Sequence, residues 1–233
     1  MHAILTAVDN YRAIVLGATG AVGSVLVREL LQSPRCAVAV ALTRRDIDEP
    51  SPKFRQYVVD MENLERDAVE PALGCDVAFC TMGIGQPSKV SPEELWKVDV
   101  EQASAFARVC RTVGVRQFSI LTAVGGNSKS KLHYLRVKGE IEGRLQSLGF
   151  PRVSFFRPRL LQTKTIRYGF QDSVVQRIFP LVSWALPGKW HEIPVEDLAR
   201  AMRLDVENPL SDNRVEILHY PEFRRLISRE SKS

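Results

Sequence analysis

Two rhythms of apolar residues alternate along this chain. Short continuous apolar runs are followed by stretches in which apolar residues return every three or four positions. The first kind predicts buried strands, the second helices that bury one face. Strands are expected at 12–16, 37–42, 56–59, 76–81, 118–122 and 153–157. Helices are expected at 21–31, with Val22, Val25, Leu26 and Leu30 on one face, at 93–113 and at 133–148. Ser91, Pro92, Glu93 and Glu94 form a strong helix start: a hydroxyl cap, a proline in the first turn and two acids. Gly114 and Gly149 stand where helices should stop.

This alternation lasts to Pro158 and predicts an α/β architecture, a doubly wound parallel sheet covered on both faces. Beyond it the rhythm changes. A helix is expected at 171–186, a loop around Trp184, Pro187, Gly188 and Trp190, a helix at 195–206 and a strand at 215–219. The expected organisation is a sheet domain over 1–158. A small C-terminal substrate or lid region, 159–233, packs on it as part of one structural unit.

Composition narrows the classes. The 233 residues are 45% apolar and 25% charged, as in an ordinary globular domain. The net charge of +5 comes without any run of five like charges, so nucleic acid is not an expected partner. It does suit an anionic ligand. Arg224, Arg225, Arg229 and Lys232 are interrupted by Glu222 and Glu230 and read as a solvated tail. Cys36, Cys75, Cys80 and Cys110 have neither metal-ligand nor disulfide-framework spacing, and Cys80 falls in a buried strand. No metal is expected. The first residues lack a leader pattern and no apolar run has membrane-spanning length, so the expectation is a cytoplasmic protein with no membrane contact. Oligomeric state is not legible.

Gly17, Ala18, Thr19, Gly20, Ala21, Val22 and Gly23 lie between the first strand and the first helix. In that context the glycines have separate uses. Gly17 permits a tight turn, Gly20 lets backbone approach a pyrophosphate, and Gly23 lets the helix pack on the sheet. The helix N-terminus offers N–H groups to phosphate. This predicts a Rossmann-type dinucleotide site. An acid commonly ends the second strand where NAD is bound; here stand Thr43, Arg44 and Arg45, with Asp46 and Asp48 slightly later. Forked guanidinium donors favour a phosphate, hence NADP or NADPH. Asp60 and Met61 are placed for the adenine, and Thr81, Met82 and Gly83 for the pyrophosphate and ribose.

Tyr134 and Lys138 are four apart at the start of a helix and share a face that continues through Ile141 and Leu145. A lysine beside an apolar stripe calls for an explanation. Its ammonium can stabilise a phenolate or bind the nicotinamide ribose, while the tyrosine moves the proton that accompanies hydride transfer. A core-edge Tyr with a snorkelling Lys is the competing explanation.

Together, GATGAVG, DVAFCTMG, VDVEQASAFARVCRTVGVRQFSILT, LHYLRVKGEIEGRL and VSFFRPRLL resemble the extended or atypical branch of the short-chain dehydrogenase/reductase superfamily. The likeness to its Tat-interactive oxidoreductase-like group is closest and spans about residues 12–206. The resemblance implies NADP binding, a Tyr134/Lys138 catalytic pair that includes cofactor contact by Lys138, and Arg157, Pro158, Arg159 and Leu160 beside the nicotinamide. It also implies that HEIPVEDLARAM closes the C-terminal region. It usually implies a catalytic serine at the end of the fifth strand, where this chain has Thr122 and Ala123. Neighbouring positions face opposite ways, so Thr122 assists only if it points into the site. Ser128 and Ser130 are looser candidates, and His191 reads as a structural or exposed loop residue.

Two functions follow. One is an NADP-dependent oxidoreductase acting on a small carbonyl or alcohol. The other is a non-catalytic NADP-binding regulator or redox sensor that acts through a protein partner. A sugar-nucleotide epimerase fits less well, because the region after Pro158 is short for such a pocket.

Overall fold

A computed structural model describes residues 10–159, 161–162 and 192–230. The expected helix at 171–186, its loop with Trp184, Pro187, Gly188 and Trp190, and Leu160 and His191 lie outside the described residues.

The first half runs β1 (Tyr11–Leu16), α1 (Ala21–Gln32), β2 (Cys36–Thr43), β3 (Phe54–Val58), α2 (Leu64–Asp67), α3 (Val69–Ala72) and β4 (Val77–Cys80). Then come α4 (Pro92–Trp96), a π-turn (Lys97–Gln102), α5 (Ala103–Thr112), β5 (Gln117–Leu121), α6 (His133–Ser147) and β6 (Arg152–Phe156). The described C-terminal residues add β7 (Leu161–Gln162), β8 (Ile193–Pro194), α7 (Val195–Glu207), β9 (Val215–Leu218) and α8 (Tyr220–Glu230).

Seven strands form one sheet in the order β3-β2-β1-β4-β5-β6-β9, and every pairing is parallel. The chain leaves β1 in one direction and returns to its other side as β4. That reversal opens a crevice at the carboxyl ends of β1 and β4, where doubly wound sheets bind ligands.

Alternation along each strand divides the core. Tyr11, Ala13 and Val15 of β1 face a cluster with α1 and α7, while Ile14 and Leu16 face one with α5 and α6. In β4, Val77 and Phe79 take the first side and Ala78 and Cys80 the second. Ser91 caps α4 as expected, its hydroxyl accepting from Glu94 N–H at 3.1 Å. Gly114 and Gly149 adopt φ +95° and +73° after α5 and α6.

Three expectations are corrected. The 93–113 helix is not uniform, because a π-turn at Lys97–Gln102 widens it by one residue per turn. The region after Pro158 is not wholly an appendage: β9 pairs with β6, with Val153 opposite Val215, so 215–218 complete the sheet. The described part of the basic C-terminus is not simply a solvated tail: Phe223 and Leu226 are buried and Glu230 pairs with Arg200 and Arg203, while Arg224 and Arg225 are exposed and Lys232 lies outside the described residues. The short helices α2 and α3 were not expected from the pattern; four residues are too few to show a period.

Candidate cofactor and active site

The turn after β1 has the geometry its glycines predict. Gly17 sits at φ +89°, and a Cβ there would lie 2.5 Å from Met82 N. Both the torsion and the space therefore require glycine. A Cβ on Gly23 would lie 2.6 Å from Thr81 Oγ1 and overlap the Gly17 carbonyl, so α1 starts in direct contact with the turn. Gly20 N–H donates back to Gly17 O at 2.9 Å, and Thr81 Oγ1 lies 3.2 Å from the carbonyl oxygens of both Leu16 and Gly17. Gly20 is the cap residue of α1. No side chain caps that helix, and its first turn holds no acid. Ala18 and Val22 are buried on the core side and Ala21 is half-buried. Helix N–H groups with no competing acceptor or negative charge are the donor set a pyrophosphate needs, so these residues fit a dinucleotide.

A cleft of about 950 Å³ opens there, at the upper end of the ordinary range for cofactor sites. Gly17, Thr19, Gly20, Thr43, Arg44, Asp60, Met61, Thr81, Met82 and Gly83, all candidate cofactor residues of the sequence, line it. Arg45 lies in an adjoining recess of about 250 Å³ with Thr19 and Arg44. The pattern did not anticipate Glu62, Glu93, Glu94, Lys97 and Gln102, which also line the cleft. Lys97 and Glu62 form an exposed ion pair of 2.8 Å there.

Asp60 lies in the cleft, but its carboxylate already serves the turn into α2. Oδ1 accepts from Glu62 N–H at 2.9 Å and Oδ2 from the Asn63 amide at 2.6 Å. These bonds hold its carboxyl below the ordinary aspartate value. Met61 is the half-buried apolar wall beside it.

Lys138 is buried on α6. Its ammonium pairs with Asp99 Oδ2 at 2.8 Å and lies 5.6 Å from the centre of the Tyr134 ring. The π-turn carries Asp99, whose other oxygen accepts from Ile84 N–H at 3.0 Å. Burial alone would draw the ammonium down. Asp99, Tyr134 and the hydrogen bond to Asp99 outweigh it, so Lys138 titrates above an ordinary lysine and is a cation at neutral pH. A Cβ on Gly83 would lie 3.5 Å from Lys138 Nζ and 3.3 Å from Asp99 Oδ1, so this pair stands directly behind the cleft wall. Asp99 escaped the sequence reading. Its signal was a carboxylate among the apolar positions of an otherwise regular helix.

Thr122 follows β5 and is buried, and its hydroxyl donates to Glu142 Oε1 at 2.7 Å. The same carboxylate receives Arg157, with Nε at 2.9 Å from Oε1 and a second contact from the guanidinium to Oε2. Thr122, whose assistance is conditional on its pointing into the site, and Arg157, which the resemblance places beside the nicotinamide, are both held by Glu142, one helical turn beyond Lys138. Pro158 is buried, and its carbonyl accepts from Val124 N–H at 3.3 Å. Ala123 is buried, Ser128 is exposed and half-buried Ser130 accepts from Leu132 N–H. All four cysteines are free and buried, and burial raises each thiol above its ordinary value, to about 12 for Cys80. Among the described residues no group of side chains is arranged to hold a metal ion, and no helix is long and apolar enough to cross a membrane.

The profile of the NAD(P)H-binding family matches residues 17–150, from the glycine turn to just past the end of α6. The chain belongs to that family. It also belongs to the family of the Tat-interactive protein HTATIP2. It is 30% identical over 208 residues to Protein HTATIP2 of Rattus norvegicus, covering 86% of this chain and 83% of that one. It is also 30% identical over 172 residues to Protein FMP52, mitochondrial, of Eremothecium gossypii, covering 73% and 76%. Among solved structures, MoeE5 in complex with UDP-glucuronic acid and NAD superposes with a TM-score of 0.68 at 18% identity, over 90% of this chain and 76% of that one. The oxidoreductase ylbE from Lactococcus lactis gives 0.68 at 15% identity, over 95% and 97%. At these identities the structures share the fold.

Proposed function

We propose that this NAD(P)H-binding protein is an NADP-dependent oxidoreductase that interconverts a small carbonyl compound and its alcohol. The observation that carries the reading is the buried Lys138 cation beside Tyr134, immediately behind Gly83 in the cleft wall. The turn at Gly17–Gly23 would hold the pyrophosphate, and Arg44 and Arg45 the additional phosphate of NADP. The cofactor supplies the hydride. Tyr134 donates or accepts the accompanying proton, and Lys138 holds the ribose and fixes the charge beside the phenol. Four free, buried cysteines fit a reducing compartment such as the cytoplasm, while the FMP52 relatives are named as mitochondrial.

The test begins with thermal unfolding in the presence of NADPH, NADP, NADH and NAD. At a hundredfold excess over Kd a ligand adds about 2.7 kcal/mol. The phosphorylated forms should give the larger shift. NADPH oxidation across a panel of carbonyl compounds then follows, with Tyr134→Phe as control. Turnover that survives this substitution removes the mechanism.

One observation favours a second reading, an NADP-binding regulator that acts through a protein partner without turnover. The hydroxyl expected to polarise a carbonyl is bound to Glu142, and Ala123 has none. On this reading NADPH changes affinity for the partner, and no carbonyl in the panel is reduced.

A further inference from the structure

We infer that Gln56 determines the preference between NADPH and NADH, although nothing requires it to touch either. The inference rests on the NADP reading above. Gln56 lies on the edge strand β3, opposite Ala41 of β2. Its carboxamide nitrogen donates toward Thr43 Oγ1 at 3.0 Å, the Arg45 carbonyl oxygen at 3.1 Å and Asp46 Oδ1 at 3.3 Å. Its carboxamide oxygen accepts from Ile47 N–H at 3.0 Å. Two amide hydrogens serve three acceptors, so one is shared. A single neutral side chain thus holds the segment from the end of β2 to Ile47.

Two consequences meet at the recess formed by Thr19, Arg44 and Arg45. With the backbone at 43–47 fixed from the sheet side, both arginines are exposed toward it. Neither guanidinium has an ion-pair partner among the described residues. Presented this way, the two cations need little ordering to meet a phosphate dianion. The second consequence concerns Asp46, the acid directly after Arg45. Its carboxylate is drawn onto Gln56. Released, it would pair with an arginine or repel a phosphate at the same recess. Gln56 is therefore a positioning residue that keeps two cations available and one anion occupied. A ligand without the additional phosphate does not use the recess and should not sense the change.

The measurement is the Kd of NADPH and of NADH, from nicotinamide fluorescence, for wild type, Gln56→Met and Gln56→Met combined with Asp46→Asn. Methionine keeps the length and loses the four contacts. Wild type should favour NADPH. Gln56→Met should reduce that preference about tenfold with the NADH constant unchanged, the size expected when charge-assisted contacts to a phosphate are disordered. Adding Asp46→Asn should restore part of it. A Gln56→Met protein with the wild-type preference overturns the inference and leaves the NADP reading standing. So does an equal loss for both cofactors, which marks a general structural role. A wild type with no preference overturns the NADP reading and this inference with it.

Discussion

Thr122 shows how one hydrogen bond redirects a functional argument. Its hydroxyl lies at the end of the fifth strand, yet it donates to Glu142. Thr122→Val keeps the shape and removes the donor. The expected cost is about 1.5–3 kcal/mol, because the acceptor is a buried carboxylate. Thr122→Ser should retain most of that stability, and urea unfolding of the two variants checks it. A folded Thr122→Val protein that binds NADPH and has lost turnover would return the hydroxyl to the chemistry. Gly139 sets a second residue-scale limit. A Cβ there would overlap the backbone of Asn127 and Ser128, so α6 lies hard against the loop that follows β5. Gly139→Ala should destabilise by about 1–3 kcal/mol, as overpacking does, seen as a lower Tm. Gly17 and Gly23 were legible because torsion or close approach demands glycine within a local turn. Tyr134 and Lys138 were legible because helical spacing unites them. Asp99 and Glu142 were not, since the first meets Lys138 across a gap of 39 positions and the second works on strand ends far away in sequence.

At the scale of elements, periodicity located the six strands of the first part and the helices α1 and α6 to within one or two residues. It missed the π-turn because one extra residue per turn leaves hydrophobic spacing nearly unchanged while rotating everything after it. The π-turn itself carries Asp99, which meets Lys138 of α6. Part of the contact of α7 with the sheet was equally hidden, because beside its apolar face it has a buried polar cluster. Asp205 accepts from Arg152 at 2.9 Å, Gln117 at 3.1 Å and Ser154 at 2.6 Å, all of them buried. Asp205→Ala leaves a buried guanidinium without its counter-charge, which costs about 3–5 kcal/mol. Calorimetry should show a Tm lower by on the order of 10 °C. α8 docks through Glu230, which Arg203 and Arg200 hold. Burial works against the carboxylate, but hydrogen bonds from the two arginines and their charges keep it below the usual glutamate value. A lowered folded value stabilises above the unfolded one, about 4.3, and that stability is lost as pH falls through the folded value. Hydrogen exchange should therefore show α8 losing protection as pH falls below about 4, while Glu230→Gln removes that step.

Across the whole molecule, the sheet joins residues that no local pattern connects. β9 reaches β6 from beyond the 163–191 segment, and parallel pairing at a sheet edge leaves no signature in a four-residue strand. The chain reversal between β1 and β4, by contrast, follows from the strand–helix alternation, and the cleft opens where that rule places it. Side chains of both signs line the cleft, Arg44 and Lys97 with Glu62, Glu93 and Glu94, and Arg45 lies in the adjoining recess. Arg44 and Arg45 are both exposed. Exposed arginines are also open to screening, and the Debye length shrinks from about 10 Å at 0.1 M to about 3 Å at 1 M salt. NADPH carries one more phosphate than NADH, so its Kd should rise more steeply with potassium chloride. The preference for NADPH should narrow as salt increases. On the proposed reading the backbone N–H groups at the start of α1 would hold the pyrophosphate, which is common to both cofactors and cancels in the ratio. Parallel titrations at 0.05 and 0.5 M salt measure it. A preference independent of salt would mean that Arg44 and Arg45 do not hold the phosphate, and would move cofactor discrimination away from the end of β2.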